Sequence, residues 1–393
     1  MKKKIFILTG EPSGDLHGEN LLNELYKITP KENLEIKGIG SVHLRNTTCD
    51  VIFDSKNLSS VGLTEVLSKL SLYINLEKFV LSTLANFLPE VVVLVDFPGF
   101  NLRLCKKIKK YSPNSKIIYY MPPQVWAWNQ GRTKTLAKYC DLVLCGLPFE
   151  EAFHRKWGVN SFYVGNPIVK ELPVFNRDEI RKEFGLSQKD ILVGVLPGSR
   201  NSEIFYMLNV YLKAIKLISK EFPDTRFIIS KSNNVSNFDT APDWKIIDEI
   251  KDKVKILPSL DQGNYKLMCA SDLMMVSSGT ATLQTALYET PLILGYRGNM
   301  INFFFFLLLK KVSMVGLPNI ILNKMVVPEL LQNDATSKNF AKHAIEWLKD
   351  KNKLNEIRSE LKGLHSVLSE KNASEEVARK IKELIPDYKV AKG

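Results

Sequence analysis

Short, continuous apolar runs separated by helix-length amphipathic stretches constrain this chain more than any other feature. In the first half the runs are Lys4–Thr9, Glu35–Ile39, Val91–Val95, Lys116–Tyr120 and Leu142–Cys145. They are rich in Val, Ile and Tyr and do not alternate with polar residues, as expected for strands covered on both faces. Helical spacing fills the gaps, for example over Leu16–Tyr26, Leu102–Tyr111 and Glu150–Lys156. Such alternation implies right-handed crossovers and a parallel sheet. A second series follows Asn166-Pro167-Ile168-Val169. Its runs are Ile191–Leu196, Arg226–Ser230, Val254–Leu257, Leu273–Val276 and Leu292–Tyr296, with helices that include Glu203–Lys220, Leu283–Tyr288 and Asn339–Lys349. The expected fold class is α/β, with two Rossmann-like parallel-sheet lobes facing a cleft. The expected divisions are 1–168, 169–368 and a C-terminal segment 369–393 carrying a helix over Ala373–Leu384.

Length and charge narrow the partners. A chain of 393 residues, 45% hydrophobic and 24% charged, buries large cores without disulfide or metal staples. Lys and Arg outnumber Asp and Glu by 54 to 42, and the net charge of +12 favours anionic partners. Nucleic acid is excluded at motif level: there is no zinc finger, RRM signature or basic helix. Cys49, Cys105, Cys140, Cys145 and Cys269 form no C-x-x-C pair and are odd in number, which reads as a reduced, intracellular chain. The apolar start stops at Gly10-Glu11-Pro12, too short for a signal peptide. The longest apolar run, Phe303–Leu309, is too short to span a bilayer. His43, His154, His343 and His365 lie apart without ligand spacing, so no metal site is expected.

Four turns carry chemistry. Gly10-Glu11-Pro12-Ser13-Gly14-Asp15-Leu16-His17-Gly18 leaves the first strand and opens the first helix. Asp15 as a plain helix cap is the bland reading; two carboxylates and an imidazole at a strand's carboxyl end favour a site. Asp96 leaves a run of Val and Leu, so desolvation should raise its pKa and suit it to general-base work, with helix capping as the even alternative. Leu196-Pro197-Gly198-Ser199-Arg200-Asn201-Ser202-Glu203 joins free N–H groups, a hydroxyl and an Arg fork at a helix start, a cradle for a diphosphate. Capping by Ser202 is compatible with that, because Arg200 still needs an anion. Ser277-Ser278-Gly279-Thr280-Ala281-Thr282-Leu283-Gln284 repeats the arrangement, although a Ser/Thr cap alone would explain it. Two further stretches stand out. Tyr119–Trp128, with two Trp and two Pro, suits either a sugar or acyl wall or core packing. Phe303–Phe306 before Lys310-Lys311 resembles an interfacial anchor, aided by Leu67–Phe87, with an ordinary core helix as the alternative.

In this order these segments resemble the lipid-A-disaccharide synthases. The matching stretches are Gly10–Gly18, Asp96–Arg103, Pro123–Trp128 with Gly131-Arg132, Leu147–Glu150, Leu196–Arg200 with Glu203, Ser278–Leu283, Gly295–Arg297, and Leu317–Asn319 with Glu329-Leu330-Leu331. The resemblance implies a GT-B glycosyltransferase whose first lobe binds acceptor and whose second holds a UDP-sugar. It implies inverting transfer from UDP-2,3-diacylglucosamine to 2,3-diacylglucosamine 1-phosphate, giving a β-1,6 disaccharide 1-phosphate and UDP. No metal or organic cofactor is expected. The expected location is cytoplasmic and peripheral, on the anionic inner face of the cytoplasmic membrane. A homodimer is expected too, with the C-terminal helix packed on its own N-terminal lobe or on a dimer mate. Asp96 is the candidate base, with Glu11 and Asp15 as rivals. Gly14 belongs to the same turn. Gly198, Ser199 and Arg200 would hold the diphosphate, with Ser278, Gly279, Thr280 and Gln284 beside them, and Asn319 and Glu329 are placed at the cleft. Three positions depart from the family pattern. Gln284 replaces a ribose-gripping Glu, Asn166 replaces a His in G-H-P, and Ser41-Val42 replaces Gly-Pro. The alternatives are another GT-B UDP-sugar enzyme, either a 2-epimerase or a polyprenyl-linked sugar transferase, and an inactive nucleotide- or lipid-binding homologue.

Overall fold

The ten apolar runs of the two series become strands, and the reason is visible in the packing. The computed structural model describes residues 2–58, 70–127, 129–259, 262–298, 313–368 and 371–385. In the first sheet β1 is Lys3–Thr9, β2 Leu34–Gly40, β3 Asp50–Asp54, β4 Val91–Val95, β5 Lys116–Tyr120, β6 Leu142–Cys145 and β7 Ser161–Tyr163. All seven pair in parallel, in the order β3-β2-β1-β4-β5-β6-β7. Alternate residues of the central strands feed two cores. Ile5, Ile7, Val91 and Val93 pack with Leu21, Leu22 and Leu25. Phe6, Leu8, Val92 and Leu94 pack on the other face with Val80, Leu84, Leu104 and Ile108. Neither face meets water, so neither can carry polar residues.

The second sheet is built the same way. It contains β8 Leu192–Leu196, β9 Arg226–Lys231, β10 Val254–Pro258, β11 Leu273–Ser277, β12 Leu292–Tyr296 and β13 Glu329–Leu331. Its order is β10-β9-β8-β11-β12-β13, again all parallel. The chain divides into two compact units, Met1–Pro167 with the chain from Leu368 onward, and Ile168–Val367.

The helix Ala373–Leu384 is part of the first unit. Its buried Val377, Ala378 and Ile381 join the core containing Leu21, Leu22 and Leu25. The Lys382 ammonium donates to the Ile28 carbonyl at 2.9 Å. Among the described residues no helix is long and apolar enough to cross a membrane. Each sheet reverses its strand order once, between β1 and β4 and between β8 and β11. In open parallel sheets, ligands bind outside the carboxyl ends of the strands at such reversals.

Candidate active site

The first reversal brings together the turns after β1 and β4. Close packing makes this possible: a Cβ on Gly10 would fall 2.2 Å from the Phe97 ring. The helix Pro12–Ile28 then starts directly against β4, and a Cβ on Gly14 would stand 3.8 Å from that of Asp96. Glu11, not Asp15, occupies the N-cap position, and its side chain makes no capping bond.

Asp15 is buried and fully engaged. One carboxylate oxygen accepts from Ser41 N at 2.8 Å and from the Thr9 hydroxyl at 3.3 Å; the other accepts from His43 N at 2.8 Å. It ties down the loop after β2, which includes the atypical Ser41-Val42, and this occupies both of its oxygens.

Asp96 is arranged differently. Its backbone is held on several sides: N donates to Tyr120 O at 2.9 Å, and its carbonyl accepts from the Tyr119 hydroxyl and from Asn101 Nδ2, each at 2.8 Å. Asp96 and Phe97 both have φ of 49°, two successive left-handed residues without glycine. Such strain costs about 1–3 kcal/mol per residue and concentrates at functional sites. The N-cap of the following helix Pro98–Tyr111 is Phe97, so Asp96 is not its cap. Burial raises the Asp96 pKa, with the nearby His17 and the Phe97 N–H pulling in the opposite direction. His17 is itself buried, its ring 6.1 Å from that of Tyr120. A carboxylate held high and rigid has the properties of a general base.

The second reversal opens a pocket of about 280 Å³. The turns after β8 and β11 form its floor, and the Ser277 hydroxyl ties them together by donating to Pro197 O at 2.8 Å. Gly198, Ser199, Arg200, Ser278, Gly279, Thr280 and Gln284 all line it. Two helices start here, Asn201–Glu221 and Thr280–Leu287, with Arg200 and Gly279 at their N-caps and no side-chain cap on either. Capping by Ser202 or by the Ser/Thr cluster does not occur. Uncapped helix starts present N–H donors and positive dipole ends, which suit a phosphate. Side-chain caps are uncommon in this chain: the helices beginning at Pro12, Pro98 and Ala373 lack one too, whereas Thr336 caps its helix by accepting from Asn339 N.

Arg200 does have an anion beside it, and that anion is internal. Its Nη1 lies 3.0 Å from Glu203 Oε1, and Glu203 Oε2 accepts from Ser199 N at 2.8 Å. Gly198 has φ of 126°, and a Cβ there would meet Glu203 at 2.5 Å. Gln284 Nε2 donates to the Tyr265 hydroxyl at 3.3 Å.

Asn319 and Glu329 are brought together, but the pocket lining does not include them. Asn319 Nδ2 donates to Glu329 Oε1 at 2.8 Å, and Glu329 accepts from Val315 N and Gly316 N, each at 2.8 Å. Asn319 Oδ1 accepts from Val326 N and Val327 N. The pair fixes the turns around the helix Leu317–Leu322. Trp126 also belongs to packing. It is buried, donates Nε1 to Glu150 at 2.8 Å and lies edge-on to Phe149. Trp128, Phe303–Phe306, Lys310 and Lys311 lie outside the described residues. Sequence reasoning passed over Ser230, Ser232 and Asn264, which complete the pocket wall from the end of β9 and from the helix Gly263–Ala270. Only the strand order, which places β9 beside β8, identifies them. Among the described residues no cluster of His, Cys, Asp or Glu is suited to a metal.

With this geometry in place, similarity to known proteins is informative. Residues 5–383 match the profile of the lipid-A-disaccharide synthetase family. A lipid-A-disaccharide synthase of Nitrosococcus oceani is 37% identical over 353 residues, 88% of this chain and 87% of the relative. Among solved structures, a putative UDP-N-acetylglucosamine 2-epimerase from Listeria monocytogenes superposes with a TM-score of 0.63 at 12% identity, covering 97% of this chain and 95% of that one. Sucrose-phosphate synthase of Thermosynechococcus elongatus gives 0.58 at 11%, covering 98% of each chain. These structural likenesses establish a GT-B-like fold and no more. The sequence match is of a different order, and by it the chain belongs to the lipid-A-disaccharide synthetase family.

Proposed function

We propose that this protein is an inverting glycosyltransferase that joins UDP-2,3-diacylglucosamine to 2,3-diacylglucosamine 1-phosphate, releasing UDP and the β-1,6-linked disaccharide 1-phosphate of lipid A synthesis. One observation carries the reading: the family's two groups of motifs fold onto the two strand-order reversals, a desolvated carboxylate at one and an uncapped, Arg-bearing pocket at the other. The acceptor 6-hydroxyl attacks the donor C1, and the bond from C1 to the diphosphate oxygen breaks, leaving its electron pair on UDP. Asp96 takes the hydroxyl proton, which its raised pKa favours. Asp15 acts by holding the loop after β2, and Glu11 stays at the helix start. Arg200, Ser199, Gly198, Ser278, Gly279 and Thr280 hold the diphosphate, and Gln284 takes a single ribose hydrogen bond where a charged residue would grip more strongly.

Incubation with both defined substrates and mass spectrometry of the product tests the proposal. A tetraacyl disaccharide 1-phosphate with stoichiometric UDP is expected; an epimerised sugar nucleotide, or UDP release without a disaccharide, contradicts it.

The acyl chains of both substrates also imply reversible attachment to an anionic membrane surface. The helix Leu70–Phe87 supports this by exposing Ile74 and Phe79, with Leu88 58% exposed just beyond it. Vesicle binding that falls with salt and with Phe79→Ser is expected; binding indifferent to both would remove the membrane from the reading.

A further inference from the structure

Among the described residues lining the pocket, Arg200 and Glu203 are the only charged ones, so the wall that receives a diphosphate carries no net formal charge. That is unexpected for an anion site. Uncapped helix starts attract negative charge, and a carboxylate among them opposes the attraction. Glu203 nevertheless sits in the first turn of its helix with its side chain only 12% exposed. It is fixed by Ser199 N at 2.8 Å and by Arg200 at 3.0 Å, over a glycine whose Cβ would collide with it. Tyr296 registers both charges: burial raises its pKa first, Glu203 raises it further, and Arg200 lowers it.

We propose that Glu203 is a positioning residue for Arg200 that also prevents the pocket from binding the released diphosphate more tightly than the sugar-linked one. This rests on the assignment of the diphosphate to this pocket. When the sugar departs, the terminal phosphate gains an ionisable oxygen whose pKa is about 6, so the product is the more negative ligand near neutrality. An Arg without a counter-ion would reward that extra charge and trap UDP. With Glu203 alongside, the guanidinium still donates its directed hydrogen bonds, but the attraction for the added charge is cancelled, and UDP leaves.

Calorimetry on the full chain, with UDP and with its β-phosphate methyl ester as probes, tests this. Wild type should bind the two within about threefold of each other, because the neutral pair is blind to the added charge. Glu203→Gln keeps an acceptor for Ser199 N–H and removes the charge. It should melt like wild type, bind UDP about tenfold more tightly, and prefer UDP to the ester. A merely structural Glu203 predicts unchanged or weaker UDP binding in that variant, and this result in a folded protein would overturn the proposal. So would a wild type that prefers UDP over the ester by about tenfold, a comparison that needs no variant to fold. A separate outcome concerns the underlying reading: if Arg200→Ala binds UDP as well as wild type, the diphosphate is not in this pocket.

Discussion

At the first strand-order reversal the turns after β1 and β4 bring together a buried Asp15 and the half-buried Glu11 and Asp96 in a tightly packed corner, with a strained backbone beneath Asp96. At the second the turns after β8 and β11 leave an open pocket walled by hydroxyls, glycines and one guanidinium paired with the Glu203 carboxylate. The topology is the same and the chemistry opposite. A parallel sheet supplies at its reversal only a place where two turns diverge; under the proposed function, side chains make one such place move a proton and the other hold an anion. In the first, close packing at Gly10 and Gly14 desolvates a carboxylate. In the second, the helices that begin at Asn201 and Thr280 start at an open pocket beside Arg200.

The contrast predicts separable defects, and the largest lies at Asp96. Asp96→Asn should lower turnover by about 10²-fold or more without unfolding the chain; activity near wild type would return the base role to Glu11. The pH profile carries the same information. A base works deprotonated, so activity is lost as pH falls through the folded pKa. Because burial raises that pKa from 3.8, the acid limb should lie above the ordinary aspartate value. A limb at or below that value would contradict the desolvation argument.

Next in size, Arg200→Ala should weaken UDP binding by about 10- to 100-fold, the range for losing a charged hydrogen bond, as read by calorimetry. Gly198→Ala comes third. Its φ of 126° and the 2.5 Å approach to Glu203 should cost about 1–3 kcal/mol in thermal stability and disturb nucleotide binding, leaving the first unit's chemistry untouched. The smallest effect is a control away from both reversals. Glu150, buried against Trp126, has its pKa raised from 4.5 to about 7. A raised carboxylate contributes stability that is complete below its unfolded pKa and is lost as pH rises through about 7. Glu150→Gln removes that pH dependence, so its melting temperature relative to wild type should rise between pH 4 and pH 8, with turnover little changed. That rise sits on top of a constant loss, because an amide nitrogen cannot accept from Leu147 N as Glu150 Oε2 does. A turnover loss like that of Asp96→Asn would blur the distinction between a buried carboxylate and a catalytic one.

What could be read from the sequence follows the same physics. The central strands β1, β4, β5 and β6 are legible because both faces are covered, so their apolar runs are unbroken. The edge strands Asp50–Asp54, Ser161–Tyr163 and Glu329–Leu331 were missed: they pair on one side only, are three to five residues long and carry polar residues. Asp96 and Arg200 stood out because a charge at the end of an apolar run is costly unless it is used. Which of the neighbouring carboxylates is tied to the loop after β2 was not legible. Asp15 is engaged by Thr9 and by Ser41 and His43, the last two more than 25 residues away in the chain. Glu203 was visible as part of a motif, but its pairing with Arg200 depends on Gly198 turning the chain back at positive φ. Asn319 and Glu329 were expected together, and they are; their partners are backbone N–H and C=O groups, which no residue pattern announces.

The central claim is that proton transfer and nucleotide binding belong to different reversals, and UDP calorimetry on Asp96→Asn tests it most directly. The account predicts a dissociation constant equal to that of wild type in a protein whose turnover has collapsed. A folded Asp96→Asn protein that has lost its affinity for UDP would show that the first reversal holds the nucleotide as well, and would contradict the division.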